Sequence, residues 1–98
     1  MFEIRFAEGA IDDLKHLPTN RRTTILDAIE RNLSAAPLVP SRNRKKLTGL
    51  VPPWDQVRPV WQLRVGDYRV FYDADPDGPV VIVQAIRHKA RKATEEIL

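Results

Sequence analysis

The side chains that could act on an anion are concentrated in three short stretches of the sequence. The segment "LRVGDYRVFYD", residues 63–73, carries Arg64 and Arg69, and a basic run lies on either side of it, "RNRKK" at 42–46 and "RHKARK" at 87–92. These two runs hold eight of the sixteen Lys and Arg residues. A single charged run is usually a solvated loop, but two runs around an arginine-bearing segment predict an anionic partner, with nucleic acid the first candidate.

The second basic run also contains a candidate for proton transfer, His88. Histidine is the side chain that exchanges a proton near neutral pH, so it is suited to act as a general base. The alternative is a partly exposed histidine at the end of a strand. Side chains alternate between faces in an extended segment, so Arg87 and Lys89 are expected on the face opposite His88. Only one of these two sets is therefore expected to serve a single site.

The N-terminal half is predicted to form one strand and two helices. Residues 1–6 alternate apolar and polar side chains, which indicates a strand covered on one face. Residues 7–17 repeat apolar side chains every three or four positions, which predicts an amphipathic helix that Pro18 ends. A second helix, capped by Thr19 or Asn20, is expected to pack beside the first as a helical hairpin.

The C-terminal half is predicted to form a long loop, a hairpin and a final strand. Residues 37–59 contain five prolines and the first basic run without sustained periodicity, so they are interpreted as a long ordered loop, a kind that is often functional. Residues 57–65 and 68–73 alternate on either side of a Gly-Asp pair, which predicts a β-hairpin. The apolar run "VVIVQAI" at 80–86 suits a strand buried on both faces.

These elements predict an α+β fold in a single domain, residues 1–98, with the order β-α-α-β-β-β. The first strand must join the three-stranded antiparallel C-terminal sheet, since its apolar face would otherwise stay in water. The two helices then cover one face, and Arg64 and Arg69 are expected on the other. The tail, residues 90–98, is expected to add a helical turn or two.

Three aromatic or imidazole side chains are assigned to structural positions. Trp61 lies on the apolar side of its strand and is predicted to be in the core. Trp54 is interpreted as a packing anchor for the Pro-rich loop in preference to a base-stacking residue. His16 is expected to be a surface histidine.

The composition excludes several classes of protein. With no cysteine and two distant histidines, neither disulfides nor a metal site is expected. No apolar run is long enough to span a bilayer and the N-terminus lacks the pattern of a signal peptide, so the chain is expected to be cytoplasmic. Hydrophobic residues make up 43% and charged residues 30% of the 98 residues, as in a folded globular domain.

Three motifs, together with the order of elements, are characteristic of one group of proteins. They are "KKLTGL" at 45–50, "WQLRVGDYRVFYDAD" at 61–75 and "VVIVQAIRHKARK" at 80–92. In these, and over nearly its whole length, the chain resembles the RelE/ParE toxin superfamily of type II toxin–antitoxin systems. The resemblance implies a small α+β toxin that needs no cofactor and is held inactive by a cognate antitoxin in a hetero-oligomer.

The resemblance also implies a target and a set of site residues. Some relatives cleave mRNA in the ribosomal A site without a metal, and others inhibit DNA gyrase. Cleavage of mRNA is the first expectation, gyrase inhibition is the alternative, and a basic interaction module without toxicity is the third. Arg69 matches the arginine that RelE-like nucleases carry in this hairpin, so it is expected to stabilise charge on the phosphate, with Arg64 assisting and His88 as base. The alternative for both arginines is a cross-strand salt bridge, with Asp73 a candidate partner of Arg69.

Seven further residues are expected to bind phosphate groups without reading sequence. They are Arg44, Lys45, Lys46, Arg87, Lys89, Arg91 and Lys92. Two positions depart from the RelE-like pattern. Gln62 stands where such nucleases often have a basic residue, and no tyrosine follows the basic segment.

Overall fold

The computed structural model describes residues 1–56, 58–89 and 93–98, except for the side chain of Glu95, and these residues form five strands and three helices. In chain order the elements are β1 (Glu3–Phe6), α1 (Glu8–Lys15), α2 (Thr19–Leu33), β2 (Arg44–Lys46), β3 (Trp61–Val65), β4 (Tyr68–Asp75), β5 (Val80–His88) and α3 (Thr94–Ile97). The predicted α+β class and the short C-terminal helix are confirmed. Within this part of the chain, no helix has the length and apolar character needed to cross a membrane.

The strands form one sheet in the order β1-β5-β4-β3-β2. Strand β1 pairs in parallel with β5, from Glu3 opposite Val80 to Phe6 opposite Val83, and every other neighbouring pair is antiparallel. The prediction that the first strand joins the C-terminal sheet is therefore confirmed. Because β5 lies between β1 and β4, the most apolar strand occupies an interior position.

The fifth strand is β2, in a segment that was predicted to be loop. Arg44, Lys45 and Lys46 pair with Leu63, Gln62 and Trp61 of β3. Three consecutive charged residues carry no apolar alternation, so the sequence pattern gave no indication of a strand. Backbone hydrogen bonds hold β2 in place, and its lysines suit an edge strand because charge opposes pairing with another chain.

The helix face of the sheet is the side that α1 and α2 cover, and it holds the main apolar core. Side chains from both helices pack there against alternate residues of the strands. The fully or nearly fully buried members include Ala10, Ile25, Ile29, Leu33, Leu63, Val70, Tyr72, Val81 and Val83. Trp61 belongs to the same cluster with 6% of its surface exposed, which confirms its predicted core position. His16 is exposed at the end of α1, as expected.

The helix boundaries differ slightly from the expected ones. Helix α1 spans Glu8–Lys15, and Pro18 itself occupies the N-cap position of α2, so neither Thr19 nor Asn20 serves as the cap. Proline is tolerated there because its missing N–H would have no partner in the first turn.

The open face is the opposite side of the sheet, and only part of it is covered. A small apolar cluster of Val60, Phe71 and Ala85 is shielded by Ile97 of α3 and by the loop that carries Trp54. The ring centroids of Trp54 and Phe71 lie 6.4 Å apart, which confirms the predicted packing role of Trp54. The remainder of this face, toward the hairpin turn, is polar.

The hairpin and a bulge in β5 decide which polar side chains reach the open face. Gly66 adopts a φ of +58°, as a two-residue turn between β3 and β4 requires. Phe71 pairs with Ala85 while the next residue, Tyr72, pairs with Val83, so Gln84 is an extra residue in β5. A bulge of this kind reverses the alternation that follows it.

Candidate anion-binding site

Three arginines form a row across the open face. In the sheet register Arg64 of β3 lies opposite Arg69 of β4, and Arg69 lies opposite Arg87 of β5. Directly opposed residues in an antiparallel pair have Cα atoms roughly 4.5–5.5 Å apart, and like charges at that spacing destabilise the sheet. The row therefore has an electrostatic cost that the fold does not require.

The arginine at one end of the row is neutralised within the protein. The Arg87 guanidinium donates to the Asp13 carboxylate of α1, and its Nε donates to the Ile97 carbonyl at 3.0 Å. The Asp13 carboxylate also accepts the backbone N–H of Ile86 at 2.9 Å. Arg87 thus holds α1 and α3 against the end of β5, which is a structural role.

The other two arginines have no such partner. Among the described residues neither Arg64 nor Arg69 forms a salt bridge with a carboxylate, and Asp73 is paired with Arg58 at 3.6 Å instead. The Arg69 Nη1 donates to the carbonyls of Gly66 and Tyr68, both at 2.9 Å, which fixes its direction. Burial and then the charge of Arg64 lower the pKa of Arg69, while Asp67 opposes that shift. This pair therefore carries charge that no described carboxylate neutralises through a salt bridge.

The pair opens into a cavity of about 200 Å³, here called the basic cavity. Six cationic residues and no acidic residue line it among the described residues: Arg42, Arg44, Lys45, Arg64, Arg69 and Lys89. The neutral polar residues at its wall are Ser41, Asn43, Gln62 and Thr94. Such a lining suits phosphate groups, because it offers many charged donors and no competing carboxylate.

A tight turn before β2 shapes the rim of the basic cavity. The Ser41 hydroxyl accepts the backbone N–H groups of Asn43 and Arg44, each at 3.2 Å, and the Ser41 N–H donates to the Arg44 carbonyl at 2.9 Å. Local side-chain acceptors of this kind are why serine is favoured in turns. The turn sets the register of β2, so Lys45 lies opposite Gln62 and shares its face.

The floor of the basic cavity connects it to the C-terminal helix. Gln62 is buried, with 6% of its surface exposed, and its Oε1 lies 3.4 Å from the Thr94 hydroxyl. Ile97, one turn further along α3, belongs to the apolar cluster on the same face. The position of α3 and one wall of the basic cavity are therefore coupled.

The sequence matches the family described as the ParE toxin of type II toxin–antitoxin systems over residues 4–93. The chain belongs to the ParE toxin family. This toxin is thus the toxin component of a type II toxin–antitoxin system of the RelE/ParE superfamily, which confirms the resemblance. No curated protein matches the sequence at a significant level.

Solved structures of RelE toxins are similar in fold to this toxin. The RelBE2 toxin–antitoxin complex from Mycobacterium tuberculosis aligns at 26% identity and a TM-score of 0.72, covering 91% of this chain and 92% of that one. The RelE–RelB complex from Pyrococcus horikoshii aligns at 20% identity and a TM-score of 0.70, covering 92% and 97%. The isolated RelE toxin of E. coli aligns at 20% identity and a TM-score of 0.68, covering 96% and 89%.

The structure of the toxin brings together four of the predicted site residues. Arg64, Arg69, Lys45 and Lys89 all line the basic cavity. The roles assigned to them stay predictions. Arg87 shares their face, but its donors are engaged by Asp13 and Ile97, as described above.

Two residues of the first basic run are directed elsewhere. The Arg44 guanidinium lies toward α2, where it donates to the Val39 carbonyl at 3.0 Å and to Asn32 Oδ1 at 3.2 Å. It therefore anchors β2 to α2, and Arg44 is at the same time one of the residues that line the basic cavity. Lys46 pairs with Trp61 and lines a different cavity. The contacts of these two side chains therefore lie outside the basic cavity.

His88 does not meet the arginine pair. Its ring lies on the helix face, 5.0 Å from the ring of Tyr68, and it lines a separate cavity of about 130 Å³. Simple alternation from the buried Val83 would have put His88 on the open face, but the bulge at Gln84 reverses the faces. The role of His88 as a base stays a prediction, and Arg91 and Lys92 lie outside the described residues.

Several residues of the basic cavity were not predicted. Gln62 and Thr94 form part of its wall, and the "SRN" segment, residues 41–43, forms its rim. Strand alternation alone would have placed Gln62 beside Arg64 on the open face. The contribution of Thr94 depends on the docking of α3, for which the sequence carries no local signal.

Proposed function

We propose that this toxin is a metal-independent endoribonuclease that cleaves mRNA on the ribosome, with the scissile phosphate held in the basic cavity. The observation that carries the proposal is the cross-strand pair of Arg64 and Arg69, which faces a cavity that no acidic side chain lines among those described. A like-charge pair of this kind is costly in the free protein, so binding of an anion relieves it. The same groups are then in position to stabilise the charge that grows on the phosphate.

The basic cavity can supply most of the charge that RNA cleavage needs. Attack of a 2′ oxygen on the adjacent phosphate adds negative charge to the phosphate oxygens, which guanidinium groups neutralise in bidentate geometry. Lys45 and Lys89 line the same cavity and suit the flanking phosphates. The cationic side chains of the cavity, with no carboxylate beside them among the described residues, would repel a divalent metal ion, so the side chains themselves must supply the positive charge.

Proton transfer is assigned to the two lysines of the basic cavity, one acting as a neutral amine that accepts a proton and the other as an ammonium that donates one. Cleavage needs a base for the 2′ hydroxyl and an acid for the leaving 5′ oxygen. Among the described residues of the cavity lining, the side chains able to exchange a proton in this role are Lys45 and Lys89. His88 could take the base role only for an RNA that also reaches the helix face.

A cognate antitoxin is the expected partner of the toxin. The similar RelE chains from M. tuberculosis and P. horikoshii were solved as complexes with an antitoxin, RelB in the second case. A basic open face is complementary to an acidic segment, and an amphipathic helix suits the grooves beside α1 and α2. We therefore expect a hetero-oligomer in which the antitoxin covers Arg64, Arg69 or His88, or displaces the C-terminal tail.

A second candidate function is inhibition of DNA gyrase without cleavage. The observation in its favour is that, within the described part of the chain, the basic cavity has no histidine, tyrosine or carboxylate at its wall. A site of this composition can bind a phosphate backbone without transferring protons. The matched family is also the ParE toxin family.

One experiment separates the two functions. Purified toxin is added in parallel to ribosomes programmed with a defined mRNA and to a gyrase supercoiling assay, with mRNA 5′ ends mapped in the first. The proposal expects new 5′ ends within the A-site codon, normal supercoiling, and loss of both cleavage and toxicity in Arg69→Ala. Loss of supercoiling with intact mRNA would establish the second candidate, and an effect in neither assay would favour a non-toxic interaction module.

A further inference from the structure

A second cavity lies on the helix face at the same end of the sheet as the basic cavity. It measures about 130 Å³ and is here called the aromatic cavity, because the rings of Tyr68 and His88 stand in its wall with centroids 5.0 Å apart. The apolar side chains of Ile25 and Val65 also line it, and Arg21 of α2 contributes a guanidinium. The chemistry proposed for the basic cavity does not use this arrangement.

The two cavities are joined by a third, the bridging groove, which has a volume of about 660 Å³. The groove shares Arg64 and Arg69 with the basic cavity and shares Gly66 and Asp67 with the aromatic cavity. Arg31 of α2 adds a further cation to its wall. Neighbouring cavities therefore follow one another from the basic cavity around the hairpin turn to the aromatic cavity, each sharing lining residues with the next.

The end of β5 connects the same two cavities from the other side. His88 and Lys89 are consecutive residues, and His88 lines the aromatic cavity while Lys89 lines the basic cavity. The cations along this series of cavities outnumber its one described carboxylate, that of Asp67 at the hairpin turn, and suit a phosphate backbone. At one end of the series they are replaced by two rings and aliphatic side chains. A sequence-tolerant site for single-stranded nucleic acid has this composition, with cations for the backbone and aromatic side chains for a base.

We propose that a single strand of RNA follows the bridging groove and that one of its bases, near the phosphate held in the basic cavity, stacks in the aromatic cavity against Tyr68 and His88. The inference rests on the proposed action on RNA and adds to it a base-binding subsite on the opposite face of the sheet. The subsite would fix which nucleotide lies next to the basic cavity. Arg21 and Arg31 contact the backbone along the way.

The test combines protein variants with abasic RNA. A short 2′-O-methyl RNA, which cannot be cleaved because its 2′ oxygen is blocked, is labelled and titrated with toxin while fluorescence anisotropy is recorded. One abasic nucleotide is then moved along the strand, position by position. Tyr68→Leu keeps the half-buried apolar volume and removes the ring, and His88→Ala changes an exposed side chain. His16→Ala, which changes the exposed histidine that follows α1, is the matched control.

We expect Tyr68→Leu to weaken binding of the intact RNA about tenfold, as loss of one base–aromatic stack does. At one abasic position the wild-type and Tyr68→Leu proteins should bind equally, since the base that stacks is already absent. His88→Ala should show the same pattern at the same position, and it carries the test if Tyr68→Leu fails to fold. His16→Ala should bind like the wild type throughout.

The outcomes separate this inference from the proposed function. If Tyr68→Leu and His88→Ala weaken every abasic RNA by the same factor, or weaken none, there is no base-binding subsite. If in that case Lys45→Ala, which alters only the basic cavity, still weakens binding, the proposed action on RNA stands without the subsite. If Lys45→Ala and Lys89→Ala also leave RNA binding unchanged, both proposals are overturned.

Discussion

The two faces of the sheet use similar side chains for different purposes. On the helix face the polar groups at the core are satisfied within the protein, as where the buried Tyr72 hydroxyl donates to the Pro37 carbonyl at 2.5 Å. On the open face Arg64 and Arg69 lie directly opposite each other, with no salt bridge to either among the described residues. The core of the helix face is organised for stability, whereas the open face retains unfavourable charge that a ligand can neutralise.

The same contrast appears within the arginine row. Arg87 and Arg69 are cross-strand neighbours, yet Arg87 is neutralised by Asp13 while Arg69 lines the basic cavity. Pairing with one acidic residue of α1 therefore gives Arg87 a structural role, whereas Arg69 is available to bind an anion. Arginine content alone does not locate the site, because the position of the nearest carboxylate decides the role of each arginine.

The largest effect is expected from Arg69→Ala on activity. Loss of one donor to the developing charge reduces the rate of a cleavage reaction by about a hundredfold or more. The free energy of unfolding should change by less than about 1 kcal/mol, because the Arg69 side chain belongs to neither apolar cluster. Cleavage rate and thermal unfolding are measured together, with Arg5→Ala, an exposed arginine of β1, as the control for charge. A folded Arg69→Ala toxin of full activity would remove Arg69 from the site.

The next largest effect is expected from Ile97→Ala, in the part of the open face that α3 covers. Ile97→Ala should lower the free energy of unfolding by about 2 kcal/mol, at the low end for a buried isoleucine because a short terminal helix can relax. It should also weaken RNA binding, since α3 carries Thr94 of the basic cavity. Leu26→Ala, at an exposed position on α2, is the control and should cost far less. Equal losses in the two variants would show that α3 does not pack as described.

A smaller effect is expected from Tyr72→Phe, which removes a buried hydroxyl group from the helix face. Tyr72→Phe leaves the buried Pro37 carbonyl without its donor, which costs about 1–2 kcal/mol. Burial raises the pKa of Tyr72, so above about pH 10 the unfolded phenol ionises while the folded one keeps its proton. The stability of the wild type should therefore fall as the pH rises beyond that point, and Tyr72→Phe should flatten the decline. Tyr68→Phe, on the same strand, is the control and should keep the decline of the wild type. A decline that is unchanged in Tyr72→Phe would contradict this explanation.

The smallest effect is expected in a comparison of two adjacent lysines of β2, Lys45 and Lys46, which lie on opposite faces of the sheet. Lys45→Glu and Lys46→Glu change the charge of the toxin equally, but only Lys45 lines the basic cavity. Lys45→Glu should weaken RNA binding several-fold and reduce the slope of log affinity against log salt by about 0.7 for a lost phosphate contact. Lys46→Glu should change both quantities less. Equal effects would mean that net charge, and not the open face, governs binding.

The sequence predicts the elements of this fold better than it predicts the site. Alternation and turn chemistry identify the hairpin around Gly66, and helical periodicity identifies α1 and α2, because each signal is local. The faces of Arg87 and His88 depend on the bulge at Gln84, which shifts register without any marked residue. Likewise, the pairing of Asp13 with Arg87 joins residues far apart in the chain, so no local pattern reveals it.

The most direct test of a phosphate-binding open face is an NMR titration of the isotope-labelled toxin with a short 2′-O-methyl RNA. A phosphate-binding open face predicts that the largest shifts fall on Lys45, Gln62 and Lys89 and on the guanidinium resonances of Arg64 and Arg69, which together line the basic cavity. The Arg87 guanidinium, held by Asp13, should shift little. Shifts confined to α1 and the outer surface of α2, with the basic cavity unchanged, would contradict it.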